Sequence, residues 1–542
     1  MVDVSAATRN CLGWALIAGG TGFGADVLLA NHYAVGGPAG FGLRAVLLLG
    51  VALALIAAGA FEVRRTWSHR ASEADVVRVA RMAAPGLVAF AVYLCAFIAF
   101  SPVETGDQGF YELEAFSLAY DHDRDLANDV VDPTRVRPVA PFGFSGLQAH
   151  RYTRHGTGPL ISIHHVGLPL LLAPAVPLVW AAQRANPRMR LWPWHVEMIV
   201  FGALAAQLLF LILARVSPAR RSLRTAVWAT VVFSPPVLVF SIQVFPEMPA
   251  ALLALLAVYA LLREPSRAWL LVASLAVAAM PWLHVRYVLI AAPLALVITY
   301  RAITVLPDVR RDRAAMLRAA ALAAGPLVLS IAVMAIAFQH WYGSPLLDAQ
   351  NGGTASFRLE ASYRYLGGLW SSTRGWLPYA PVSILALAGI PLLRRRFGGW
   401  GVAGFVIGLV YLALVAWEAR DPGYSFPGRY EVILMPFASI PLLVLVEQVR
   451  WTRPLFAVLG IATFALTVAM IIQPMPAIMG SPGRINPVIP YSLWDWFVGL
   501  WPAVSFDPRV PSYPDAGAVA VWTGALAVLA AAAYATVRRA RT

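Results

Sequence analysis

Long apolar runs, broken at short intervals by arginine-rich or proline- and glycine-rich stretches, set the pattern of this 542-residue chain. Each run is about as long as a helix must be to cross the hydrocarbon layer of a bilayer. They lie near 11–30, 40–62 and 83–103, then near 196–214, 225–243, 246–262, 268–283, 286–300 and 319–340. A last group follows near 377–393, 400–417, 431–447, 455–472 and 517–536. The pattern predicts an all-α polytopic membrane protein with about 13–14 transmembrane helices.

The breaks sort by charge. Those at 63–82, 215–224, 263–267, 301–318, 394–396 and 450–453 carry arginines, which marks them as cytoplasmic under the positive-inside rule. The same rule turns 104–160, 341–376 and 473–516 outward, with 104–160 the large first extracytoplasmic loop. One segment falls out of step. If 215–224, 263–267 and 301–318 are all inside, then 183–195 is outside and 165–182 cannot be a simple crossing. Its Pro169, Pro174 and Pro177 favour a broken or re-entrant segment; the alternative is that 183–195, with Arg184, Arg188 and Arg190, is cytoplasmic and a later span is misread. Three regions follow: 1–82, two spans and a basic loop; 83–450, the membrane core with the outer loop; and 451–542, the C-terminal spans with the outer segment 473–516.

Composition changes the picture in four places. A 59% apolar content excludes a water-soluble globular domain. The chain has no lysine, so all 42 basic residues are arginine, which excludes Schiff-base chemistry and a P-loop lysine. The net charge of +14 is spread in clusters between spans and is no nucleic-acid signature. Cys11 and Cys95 lie in apolar runs, so neither a disulfide framework nor a cysteine metal site is expected. The first run is expected to stay as an anchored helix.

The acids are concentrated. Of 28 acidic residues, nine (Glu104, Asp107, Glu112, Glu114, Asp121, Asp123, Asp125, Asp129 and Asp132) fall within 104–132. Two further polar groupings come out on the same side, Pro281-Trp282-Leu-His284-Val-Arg286-Tyr287 and Trp417 to Tyr430. Ionisable groups at membrane depth are costly and mark substrate or ion paths. One carboxylate among several arginines fits transfer of a sugar from a phosphate leaving group. The carboxylate takes the acceptor's proton, the cations hold the departing phosphate, and no general acid is needed.

Gly106-Asp107-Gln-Gly-Phe-Tyr111, Ser117-Leu, Asp123-Arg-Asp125-Leu and Asn128-Asp129 together resemble the first-loop pattern of bacterial GT-C membrane glycosyltransferases. These are relatives of the dolichyl-phosphate-mannose–protein mannosyltransferases and the lipid A aminoarabinose transferases. His155-Gly156-Thr-Gly158, Pro246-Glu247, Pro281 to Tyr287, Pro378-Tyr-Ala-Pro381 and Pro427-Gly-Arg429-Tyr resemble later landmarks in the same order. The resemblance spans roughly 83–450. It implies Asp107 as the catalytic base of an inverting single displacement at the extracytoplasmic face of the inner membrane. Arg286 and Arg429, with Arg374 and Arg154, would hold phosphate. His284, Glu112 and Tyr111 would line the site, and Trp282, Tyr287 and Tyr430 would shape the sugar or lipid pocket. The partners implied are a polyprenyl-phosphate sugar donor, an envelope lipid, glycan or protein acceptor, and membrane lipids. No cofactor is required. Gln108 stands where the family commonly has Glu, which weakens a metal-dependent version without closing it, and Arg374 stands where relatives often carry an acid.

Other readings stand beside these. A plainer reading of Asp107 is a helix N-cap or a solvated loop residue, with the catalytic one preferred. Asp121, Asp123 and Asp125 look like the start of a calcium loop but lack its Gly and terminal Glu, so a structural cluster paired with Arg151 or Arg154 is preferred. His164-His165 has no third metal ligand in view. Glu247, after Pro246 at a helix start, is expected to rest on the helix dipole, with site architecture second. For the whole chain the alternatives are a transporter or flippase of lipid-linked glycans, and an envelope polysaccharide polymerase or ligase.

Overall fold

A computed structural model describes residues 74–100, 107–131, 151–152, 159–185, 191–264, 266–305, 312–345, 376–397, 428–472 and 516–539. The expected spans at 11–30, 40–62 and 400–417 lie outside these residues, as does nearly all of 473–516. The described chain is predominantly helical. Its first part comprises α1 (Ala74–Phe100), α2 (Gln108–Tyr120) and α3 (Leu126–Val131), then a two-residue antiparallel ribbon that the all-α expectation lacked. In the ribbon, β1 (Arg151–Tyr152) pairs with β2 (Ile161–Ser162), Arg151 opposite Ser162. The bundle continues with α4 (Gly167–Leu172), α5 (Val176–Ala185), α6 (Trp192–Val216), α7 (Arg221–Val232), α8 (Pro235–Ile242), α9 (Glu247–Leu262), α10 (Arg267–Leu283), α11 (Val288–Val305) and α12 (Arg313–Tyr342). It closes with α13 (Trp376–Tyr379), α14 (Ser383–Phe397), α15 (Met435–Gln448), α16 (Thr452–Ile472) and α17 (Ala516–Arg539).

Five described helical segments are long and apolar enough to cross a bilayer: Gly167–Ala185, Trp192–Val216, Val285–Thr304, Arg313–Tyr342 and Thr452–Ile471. Shorter apolar helices, among them Glu247–Leu262 and Arg267–Leu283, pack between them. Leu296, Ile336 and Ile461, each more than 70% exposed, form the outer surface, as expected where the solvent is lipid. Inside, small residues let backbones approach: a Cβ on Gly389 would lie 2.2 Å from the Pro441 carbonyl oxygen. The chain is a multi-pass membrane protein.

The arginine-rich connections meet at one end of the bundle. Arg215 donates to the carbonyl of Leu262, Arg301 to that of Arg263, Arg224 to that of Ser217 and Arg453 to those of Val446 and Glu447. These are the last carbonyls of α9, α6 and α15, which have no partner within their own helix, so the cations both bond them and oppose the helix dipoles. Trp451 meets Thr536 there as well, which fixes the direction of α17. The chain therefore runs α6 away from the opposite end, α7–α8 toward it, α9 away, α10 toward, α11 away and α12 toward.

The segment 165–182 departs from the expected break. From Gly167 on it is helical, with one tight turn at Ala173–Ala175, and Pro169, Pro174 and Pro177 each fall in the first turn of a helical piece. There a missing N–H removes no ladder bond. The break lies instead in the expected span 225–243, where α7 and α8 meet at 58°. Pro235 and Pro236 cannot continue the α7 ladder, and Ser234 is extended ahead of them. Although Gly167–Ala185 has the length of a span, its contacts keep it at the end away from the arginines. Trp194, in the first turn of α6, donates to Leu172, and the Trp180 ring packs on Phe116 of α2. Both ends of α2 are held at that end, by Asp107 on Arg429 and by Glu114 on Arg124, whose guanidinium covers Trp341 at the end of α12. The segment is thus a helix without a sharp bend, set beside α2 and the first turn of α6.

The two ends should react from opposite sides of a sealed membrane. With Cys11 and Cys95 replaced by Ser, His122→Cys and Ser266→Cys should each label with an impermeant maleimide in only one vesicle orientation, and not the same one. Labelling of both from one side would sink this topology.

Candidate functional site

Four pieces of backbone converge at the end away from the arginine-rich connections. The turn before α2 brings Asp107, the first turn of α9 brings Glu247, the Val285–Tyr287 turn brings Arg286, and the Gly428–Glu431 turn brings Arg429 and Tyr430. Each has a local cause. Asp107 is the N-cap residue of α2, yet its side chain makes no capping bond and is turned to Arg429 instead. At the end of α10 the chain becomes extended at His284, whose Nδ1 accepts the Arg286 N–H and so sets the direction of that arginine. Gly428 has φ +75°, and a Cβ there would stand 2.8 Å from Pro236, so the turn carrying Arg429 seats on the first turn of α8.

The charged groups form one chain of contacts. Arg429 Nη2 donates to Asp107 Oδ2 at 2.8 Å and Arg429 Nε to Glu247 Oε1 at 2.8 Å. Arg286 Nη2 donates to the same Glu247 oxygen at 2.6 Å. Among the described residues, two carboxylates and two guanidiniums make up this chain. The side chains of Glu247, Arg286 and Arg429 are 1%, 5% and 5% exposed, whereas that of Asp107 is 23% exposed. Asp107 is therefore the member nearest open space. Aromatic rings close the cationic faces: the Arg286 guanidinium sits 4.3 Å from the Tyr430 centroid, and that of Arg429 4.4 Å from Phe245. Burial alone would lower the pKa of Arg429, but Glu247 and Asp107 outweigh it and raise the value well above normal, so the cation is permanent.

Around this chain lie polar groups with positioning roles. Gln108 donates to Glu112 at 2.7 Å and approaches His195, whose Nδ1 lies 2.6 Å from the Ile242 carbonyl. Gln108 and Glu112 are fully buried, so Gln108 acts here as a donor that serves Glu112. Tyr111 is buried against the His164 ring, 5.2 Å between centroids. His165 stacks on His284 at 4.6 Å and accepts the Val285 N–H on Nε2. Burial, with the neighbouring His164 and Arg286, pushes His165 down to about 3. Trp282 donates its indole N–H to Ser330 on α12, which commits its polar atom to helix packing. Tyr287 is buried against Arg286.

The expected site residues Asp107, Arg286, Arg429, His284, Glu112, Tyr111 and Tyr430 thus come together; Arg374 and Arg154 lie outside the described residues. The chain matches no protein-family model, no curated protein and no solved structure. The weight of Glu247 exceeds its expected role: it sits in the first turn of α9, and it also joins both arginines. The signal was there in Pro246-Glu247, a lone acid opening an apolar helix. Within the aspartate cluster, the described partners of Asp123 and Asp125 are hydroxyl and backbone groups, and Asp121 lies beside the Asp129 carboxyl. Asp123 accepts from Ser117 and the Asp125 N–H, and Asp125 accepts from the N–H groups of Ala127 and Leu160. Pairing with Arg151 or Arg154 falls outside the described side chains.

Two measurements test this arrangement. Removing one partner of a buried pair strands the other, so Glu247→Ala should cost about 3–5 kcal/mol and Asp107→Ala, at the open end, clearly less. Unfolding midpoints in detergent that rank the two the other way would refute the hub role. Acid should also loosen the site. The unfolded chain protonates His165 near its ordinary value of 6.5, while the folded chain resists down to about 3. Stability is therefore lost as pH falls from about 6.5, and His165→Gln should flatten that slope.

Proposed function

We propose that this chain is a GT-C type glycosyltransferase of the bacterial inner membrane. It moves a sugar from a polyprenyl-phosphate donor to an envelope lipid, glycan or protein acceptor at the extracytoplasmic face. One observation carries the reading: a partly open carboxylate, Asp107, held 2.8 Å from a buried arginine, at the end of the bundle opposite the arginine-rich connections. Under the positive-inside rule that end faces outward.

Asp107 takes the proton of the acceptor hydroxyl as its oxygen attacks the anomeric carbon. The bond from that carbon to the phosphate oxygen breaks, and the electron pair leaves with the polyprenyl phosphate. Arg286 and Arg429 hold the added negative charge, and attack from the opposite face inverts the anomeric centre. Glu247 keeps the two cations together without supplying chemistry. Phosphate is a sufficient leaving group without an acid, and neither His284 nor His165 is suited to be one, because burial holds both well below their usual range.

A transporter or flippase is the second reading, drawing on the 58° break between α7 and α8, since broken helices mark transporter sites. The described buried ion pairs speak against it: they gather at one end of the bundle.

Membranes carrying the wild-type chain should transfer radiolabelled sugar from at least one of a panel of polyprenyl-phosphate sugars. Asp107→Asn should lose 100-fold or more of that rate with its fold intact. Equal transfer by both would clear Asp107 and shift the base to Glu112. No transfer from any donor would favour the transporter.

A further inference from the structure

Asp107 and an incoming phosphate need the same arginine. Arg429 spends its Nε on Glu247 and its Nη2 on Asp107, so it can exchange the second partner without releasing the first. Arg286 lies behind it, on the same oxygen of Glu247 and against Tyr430 and Tyr287. Among the described residues of this network, the most exposed member is the Asp107 carboxylate. An anion reaching the arginines from the open side therefore meets Asp107 first.

We propose that Asp107 is the resident anion of the phosphate site: the phosphate of a prenyl-phosphate ligand displaces it from Arg429, and only then is it free to act as a base. This rests on the reading of Arg286 and Arg429 as a phosphate site and deepens it. The exchange is charge for charge, one anion leaving Arg429 and another arriving, so the buried cations are never left without a counterion. It also changes Asp107. A carboxylate that loses a guanidinium and gains a neighbouring anion binds protons more readily. The donor thus switches the base on, and without a donor the same carboxylate is locked on Arg429. Donor must bind before acceptor.

The test uses the full chain in lipid nanodiscs, with farnesyl monophosphate as the probe and calorimetric titration in two buffers of different ionisation enthalpy. Asp107→Asn removes the competing charge and should bind the probe at least three-fold more tightly than wild type. Wild type should take up more protons on binding than the variant does. Asp107→Ala serves as a second variant, and elution profile with thermal midpoint establishes that each is folded. Arg429→Gln should lose most of the binding. Binding by wild type with equal or weaker binding by both Asp107 variants overturns the exchange and leaves the phosphate site standing. No binding by wild type or either Asp107 variant overturns the phosphate site, and the exchange with it.

Discussion

Two guanidiniums sharing one carboxylate oxygen is the constraint on which this end of the molecule depends. Glu247 is buried at the start of α9, and neither of its arginines comes from a neighbouring stretch of sequence. A charge cannot be left alone in such surroundings, so the residue can exist only if the Val285–Tyr287 turn and the Gly428–Glu431 turn both reach it. The ends of α10, α11 and α15 follow from that requirement. Through Asp107, so does the position of α2.

The opposite end follows a different rule. There the arginines bond leftover carbonyls of helix ends and sit at the surface of the bundle, close to water. Arginine alone supplies both kinds of contact in this lysine-free chain: fork-like pairing to buried carboxylates at one end, carbonyl capping at the other. The bundle between carries few charges. Within it Ser241 and Ser274 return their hydroxyls to carbonyls one turn earlier, Val237 and Leu270, whereas Ser330 and Thr467 reach across to Ala278 and Phe233.

Where the described residues cover them, the apolar helices and arginine-bearing turns were legible in the sequence because both are local: length, hydropathy and arginine content do not depend on what packs nearby. Asp107, Arg286 and Arg429 were legible as exceptions to an apolar background. Their union was not, because Asp107 and Arg429 are 322 residues apart and spacing says nothing about which helix ends meet. Glu247 was undervalued because a first-turn carboxylate already has a sufficient local explanation in the helix dipole. The prolines of 165–182 misled for a related reason. Whether a proline breaks a helix depends on its position within the turn, which composition does not record, and the true break at Pro235-Pro236 sat inside a run of ordinary apolar character.

One further consequence concerns α12. Its 30 residues make a rod of about 45 Å, against roughly 30 Å of hydrocarbon in a typical bilayer. The surplus must be taken up by tilt or by projection into the headgroup layer. Trp341 and Tyr342 sit at its far tip, the former under Arg124 and the latter bonded to Ser162, so the helix end and the acidic loop are fastened together. Hydrophobic mismatch between α12 and its host bilayer is then a load on that fastening, and the thickness of the membrane becomes a variable that the loop carrying Asp107 feels.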